Sequence, residues 1–161
     1  MTTIRQYRNT VAERLASVLP KSEADAAAAI IFEDVAGYSP TFIFANGDRE
    51  ILSFTAEKID AIVDKILSGE PVQYAVGSAY FMGDNFTVKP GVLIPRPETA
   101  GLVDLITSHW ADRSNLSVLD IGTGSGCIAI ELAKALPFSV VEAIDVSDDA
   151  IAIAEQNAKR L

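Results

Sequence analysis

In 161 residues the chain has a single cysteine, Cys127, and a single histidine, His109. That excludes an internal disulfide and any metal site built from several His or Cys ligands, and a His-dependent triad would have only His109 to use. Positive charge is also scarce. Lys and Arg number 13 against 22 Asp and Glu, a net charge of −9. The deficit is spread evenly, with 7 basic against 11 acidic residues in 1–70 and 6 against 11 in 71–161. No basic face is available for a phosphate backbone, which argues against nucleic acid as a partner. No charge-free apolar run reaches the ~18 residues needed to span a bilayer. Arg5, Arg8, Glu13 and Arg14 stand where a signal peptide would place its apolar block. A composition of 49% apolar and 22% charged residues then reads as a soluble cytoplasmic protein without a membrane partner, holding one globular domain, or one small domain and part of another.

What is present through residue 70 has helical spacing. Ile4, Tyr7, Val11, Leu15 and Val18 recur at intervals of 3 and 4, giving one face for a core before Pro20 interrupts. Ser22 and Asp25 resemble a capping box ahead of the alanine-rich run Ala26 to Phe32, which Gly37 stops. A short helix is expected around Thr41 to Ala45, with Asn46-Gly47-Asp48 offering instead a turn between extended pieces. Thr55 is placed to cap a helix lined on one side by Ile59, Ile62, Val63, Ile66 and Leu67 and ended by Gly69 and Pro71. Residues 1–70 are thus expected to form a helical bundle.

From residue 71 the texture changes to Pro, Gly and aromatic residues between short apolar runs. Val72-Gln73-Tyr74-Ala75-Val76 and Phe86-Thr87-Val88 fit strands. Gly83-Asp84-Asn85, flanked by Ala79-Tyr80-Phe81 and Phe86-Thr87-Val88, predicts a β-hairpin, so residues 71–95 read as a hairpin linker. Pro90, Pro95 and Pro97 bar helix until about residue 98, after which Leu102, Val103, Leu105 and Ile106 predict a helix to His109. The remainder reads strand 117–121, glycine loop 122–126, helix 127–136, strand 139–144 and helix 148–161, a βαβ unit with one more helix. Two parallel strands supply too few packing partners for their crossover helices. Residues 96–161 are therefore expected to be the first part of a larger α/β domain, with apolar faces left open to self-association.

The chemistry concentrates at Asp120-Ile121-Gly122-Thr123-Gly124-Ser125-Gly126, where a strand gives way to a helix, and at Asp145, which ends the next strand 19 residues after Gly126. Alternating glycines let backbone approach a ligand without Cβ collisions, and the helix start presents unpaired N–H groups. A carboxylate at the second strand's tip can accept both hydroxyls of a ribose. Gly122, Thr123, Gly124, Ser125, Gly126 and Asp145 are the candidate cofactor-binding residues. The spacing Gly124-x-Gly126-x-x-Ala129 also satisfies a dinucleotide pattern, which keeps an NAD-dependent enzyme open. Asp120 favours S-adenosylmethionine, since a second carboxylate opposes a pyrophosphate but suits sulfonium and ammonium groups.

Further residues carry a resemblance. Gly69-Glu70-Pro71-Val72-Gln73-Tyr74, Gly77, Phe81-x-Gly83, Phe86-x-Val88, Val92-Leu93-Ile94-Pro95-Arg96-Pro97-Glu98-Thr99, Val118 to Gly126 and Asn157-Ala158 together resemble the release-factor glutamine N5-methyltransferases (HemK/PrmC type). Coverage is nearly continuous over 69–161, and Ile94 to Thr99 is its most specific part. The resemblance implies a class I (Rossmann-like) methyltransferase domain, begun at residues 96–161, behind a helical N-terminal domain. It implies S-adenosyl-L-methionine as cofactor, held by Gly122 to Gly126 and Asp145, and peptide chain release factors as partners, methylated on the Gln of a Gly-Gly-Gln loop. The family's catalytic Asn-Pro-Pro-Tyr segment is absent from these 161 residues, so no catalytic residue is assigned and the chain alone is expected to be inactive. Ala100 stands where the family usually has Glu. A nucleic-acid N-methyltransferase, whose glycine loop would look alike, is the other alternative.

Several residues read as structural. Tyr74, Tyr80, Phe81 and Phe86 have strand spacing and are expected to pack. Cys127 reads as a small buried apolar residue, and His109 as a contact with a helix C-terminus. Arg96, between two prolines, faces either solvent or a site mouth.

Overall fold

The computed structural model describes residues 2–110 and 112–161. Contacts divide the chain into two compact units, Met1–Val76 and Gly77–Leu161. Among the described residues no helix is long and apolar enough to cross a membrane.

The first unit is helical: α1 (Ile4–Leu15), α2 (Lys21–Ala36), α3 (Pro40–Asn46), α4 (Ser53–Leu67) and α5 (Val72–Val76). Val11, Leu15, Ala28, Ile31, Phe32, Ile59 and Val63 are its fully buried centre. Small Ala24, Ala27 and Ala28 on α2 let α1 pack closely along it. Arg14 on α1 pairs with both Asp60 and Asp64 on α4. Gly37 ends α2 as expected, at φ 71°, with its N–H and that of Tyr38 closing on Glu33 and Phe32. The segment 41–45 is helical, capped by Ser39 with Pro40 in the first turn.

Three local expectations for this unit are corrected. Ser22 and Asp25 form no capping box, because α2 already begins at Lys21 with Pro20 as its cap residue. Thr55 lies inside the first turn of α4, which follows Leu52 without a side-chain cap. Residues 72–76 are a helical turn, not a strand. Pro71 accepts from the Ala75 N–H, and Val72, Ala75 and Val76 at helical spacing all turn to the helical core.

The second unit contains β1 (Ser78–Phe81), β2 (Asp84–Thr87), α6 (Pro97–Trp110), β3 (Ser117–Ile121), α7 (Cys127–Ala135), β4 (Val140–Ile144) and α8 (Asp148–Arg160). β1 and β2 make the expected hairpin, but its turn is Met82-Gly83, at φ 48° and 104°, because Phe81 pairs with Asp84. That register puts Phe81 and Phe86 on one buried face, edge to face at 6.0 Å, and leaves Tyr80 exposed. Phe81 and Phe86 share a core with Val103 of α6 and with Cys127, Ile130, Leu132 and Leu136 in and after α7. The hairpin therefore belongs to the second unit's core, whereas the sequence reads it as part of a linker over 71–95. α6 gives that core only Val103 as a fully buried residue, while Leu102 and Leu105 are exposed.

β3 and β4 are parallel, in register from Ser117–Val140 to Ile121–Ile144. Among the described residues they form a two-stranded sheet. Leu119, Ile121, Val140 and Ile144 are all exposed, Ile121 at 75%. These are apolar side chains of the kind that a further layer would cover.

Candidate cofactor site

The site is built where β3 runs out. Gly122, Gly124 and Gly126 adopt φ values of 80°, 56° and 82°, so every second residue of the loop is left-handed, a conformation that glycine reaches without strain. The loop is lashed to the second strand: Gly122 and Thr123 both donate to the carbonyl of Ile144, at 2.8 and 3.0 Å. One residue further on, Asp145 Oδ2 accepts the Gly124 N–H at 2.9 Å, and its Oδ1 accepts the Ser147 N–H at 3.0 Å. These two donors, with Val146, hold the Asp145 carboxyl below the usual aspartate range. The loop then closes on itself, Gly126 donating to Thr123 and Thr123 Oγ1 to Asp120 Oδ2 at 2.8 Å.

The three glycines have different surroundings. A Cβ at Gly122 or Gly124 would meet nothing within 4 Å, so the backbone there borders open space that a ligand can enter. At Gly126 it would come within 3.1 Å of Ala154 Cβ and 3.2 Å of Ile130 Cδ1, so this glycine lets α8 pass across the start of α7. The structure thus brings the six candidate residues together around one loop. Within the loop, the amides of Gly122, Thr123, Gly124 and Gly126 are bonded to protein acceptors. Asp145 shapes the loop, since it holds the Gly124 N–H across the strand ends. A carboxylate offers about four lone-pair sites, so beyond its backbone donors Asp145 keeps capacity to accept from a ligand hydroxyl. Asp120 and Asp145 set two carboxylates around the loop, a setting suited to a ligand bearing positive charge.

A cavity of about 260 Å³ lies between α7, β4 and α8, bordered by Thr123 and Gly126 of the loop and lined for the rest chiefly by small side chains such as Ala129, Ala133, Ala143 and Ala154. Its lining is mostly apolar, with Thr123 and Glu155 as polar members, and Asp145 is not part of it. Among the described residues no group of His, Cys, Asp or Glu side chains is arranged to hold a metal ion. Cys127 is buried, which pushes its thiol up. His109 lies in the last turn of α6 against Trp110, and Arg96 is exposed just ahead of α6. Ala100 packs against the core of the second unit.

Sequence reasoning gave no role to Asn157. It is fully buried on α8, and its Nδ2 donates to the carbonyls of Ser125 (2.9 Å) and Thr87 (3.1 Å) while its Oδ1 accepts the Thr87 N–H at 2.8 Å. The signal was a polar residue on the stripe Ala150, Ile153, Ala154, Asn157, whose other members are apolar and buried.

The PrmC N-terminal domain family matches residues 6–77, and a methyltransferase domain family matches residues 112–161. Curated relatives named release factor glutamine methyltransferase align along most of the chain. That of Bacteroides thetaiotaomicron is 43% identical over 151 residues, 94% of this chain and 54% of the relative. That of Flavobacterium psychrophilum is 38% identical over 158 residues, 96% of this chain and 55% of the relative. That of Escherichia coli is 32% identical over 154 residues, with shares of 96% and 54%. The chain spans about half the length of these relatives. An N-terminal domain and a methyltransferase domain in this order, on a helical unit and a glycine-loop unit, make the chain similar along most of its length to release factor glutamine methyltransferases.

Proposed function

We propose that this chain supplies the helical domain and the cofactor-holding part of a cytoplasmic enzyme that methylates peptide chain release factors. The methyl acceptor is the side-chain amide nitrogen of the Gln in their Gly-Gly-Gln loop, and the donor is S-adenosyl-L-methionine. Gly122, Thr123, Gly124, Ser125, Gly126 and Asp145 hold the cofactor. The observation that carries this reading is the bonding of the loop. The Gly124 N–H is held by Asp145 Oδ2 and the Thr123 hydroxyl by Asp120 Oδ2, which sets two carboxylates at the loop, and two carboxylates suit a sulfonium and oppose a pyrophosphate. A dinucleotide is disfavoured on the same ground, and a net charge of −9 disfavours a nucleic-acid substrate.

An amide nitrogen is a weak nucleophile because its lone pair is delocalised. Transfer requires the NH2 group in line with the S–CH3 bond, and acceptors for its hydrogens as positive charge grows. The Asn-Pro-Pro-Tyr segment that the family uses for this is absent from these 161 residues, so the chain by itself holds cofactor weakly and transfers nothing. The test joins this chain to the remainder of the Bacteroides thetaiotaomicron relative and measures ligand binding by calorimetry. S-adenosylhomocysteine is expected to bind and NADH not to; the reverse would favour a dehydrogenase.

A further inference from the structure

We infer that Asn157 is a positioning residue that couples the β1–β2 hairpin to the glycine loop, so that the two order and open as one unit. The inference deepens the cofactor reading, since the loop it positions is the one assigned there. Its basis is the double use of a single buried carboxamide. Toward the hairpin it acts as an extra strand residue, accepting from the Thr87 N–H and donating to the Thr87 carbonyl. Its remaining hydrogen goes to the Ser125 carbonyl, inside the loop. Ser125 is 2% exposed and precedes Gly126, whose contact with Ala154 leaves the loop little room to shift.

Other bonds keep the hairpin in place around this joint. Arg160, one turn along α8, donates to the Asn85 carbonyl and to Asn157 Oδ1. Lys134 on α7 pairs with Asp84 beside the hairpin turn. These contacts fix the hairpin to the helices, but among the bonds described only Asn157 reaches both Thr87 and the loop. An amide is required: both of its hydrogens face carbonyls and its oxygen faces an N–H. A carboxylate in the same shape would keep the acceptor and turn bare oxygen toward two carbonyls.

Hydrogen exchange on this chain tests the coupling without any cofactor, which separates its failure from failure of the cofactor reading. In Asn157→Asp, protection at Thr87 and at Gly122, Thr123 and Gly124 should fall together by at least tenfold. The amides of residues 4–76 should be unchanged. Lowering the pH until the introduced carboxyl is protonated restores one donor, and protection at both places should recover in parallel. Asn157→Ala, which removes the amide without adding charge, should loosen both places with no recovery at low pH. Loss confined to Thr87, loss confined to the loop, or absence of recovery in Asn157→Asp would overturn the coupling. Added S-adenosylhomocysteine gives a second reading: in the wild type, any protection gained at Gly124 should extend to Thr87, and gain at Gly124 without Thr87 would count against the inference.

Discussion

The backbone N–H of Gly124 donates to Asp145 Oδ2 at 2.9 Å across 21 residues of sequence. That carboxylate shapes the loop, and under the proposed function it is also the ligand acceptor, so substitutions there should affect both. In the joined protein, Asp145→Ala removes charged-acceptor hydrogen bonds worth about 1.5–3 kcal/mol each. Affinity for S-adenosylhomocysteine should fall at least tenfold. Asp145→Asn keeps one acceptor oxygen and should lose less. Calorimetry showing equal affinity for all three proteins would remove Asp145 from the site.

The same bond predicts a pH response. Gly124, Ser147 and Val146 lower the folded-state pKa of Asp145 below the ordinary 3.8. Its contribution to loop order is therefore present above that value and is lost only as pH falls through the lower, folded pKa. The Gly124 amide resonance should stay still from pH 7 down to 4 and move only beneath the ordinary aspartate range. Movement with a midpoint at or above 3.8 would show that the bond does not hold in solution.

Gly122, Gly124 and Gly126 should not be equivalent. Gly122→Ala and Gly124→Ala add a Cβ in open space and incur only the left-handed backbone penalty, roughly 1–2 kcal/mol each. Gly126→Ala adds contacts of 3.1–3.2 Å with Ala154 and Ile130 to that penalty and should lower the second unit's melting temperature most. Conversely, Gly122→Ala and Gly124→Ala should weaken ligand binding out of proportion to their effect on stability. Thermal unfolding and calorimetry on the same three variants read both orders.

The sheet face predicts behaviour of the chain by itself. Ile121 and Ile144 are an in-register pair, 75% and 49% exposed, with Leu119 and Val140 exposed beside them. Sedimentation should show an apparent mass that rises with concentration. Replacing the pair by Ile121→Lys with Ile144→Glu, a cross-strand pair of opposite charge, should return it toward the monomer. A wild-type mass independent of concentration would contradict this.

How far the sequence was legible differed along the chain. Residues 117–161 are legible to within one or two positions because a glycine loop between an apolar strand and a helix, followed by a second apolar strand, leaves little choice. The body and end of the helix at 53–67 are legible in Ile59, Ile62, Val63, Ile66 and Leu67 and in the stop at Gly69 and Pro71, while its start lies ahead of the expected Thr55 cap. Residues 72–76 mislead because a short run of apolar and aromatic residues fits one helical turn as well as a strand, and packing of Ala75 on the helical core decides the matter. The hairpin turn slipped by one position, since Gly83-Asp84-Asn85 has turn composition but only Met82-Gly83 lets Phe81 and Phe86 share a face. In the site, the six candidates were visible as types and spacing. Asn157 was not, because its importance lies in Thr87 and Ser125, which folding alone brings to it.

The most direct measurement of the central claim is methyl transfer by the joined protein. It would be incubated with S-adenosylmethionine and a release factor, and the peptide containing Gly-Gly-Gln would be analysed by mass spectrometry. The account predicts a gain of one methyl group on that glutamine, much reduced in Asp145→Ala and absent when this chain is used alone. An unmodified glutamine, or methyl groups found on RNA or DNA, would contradict it.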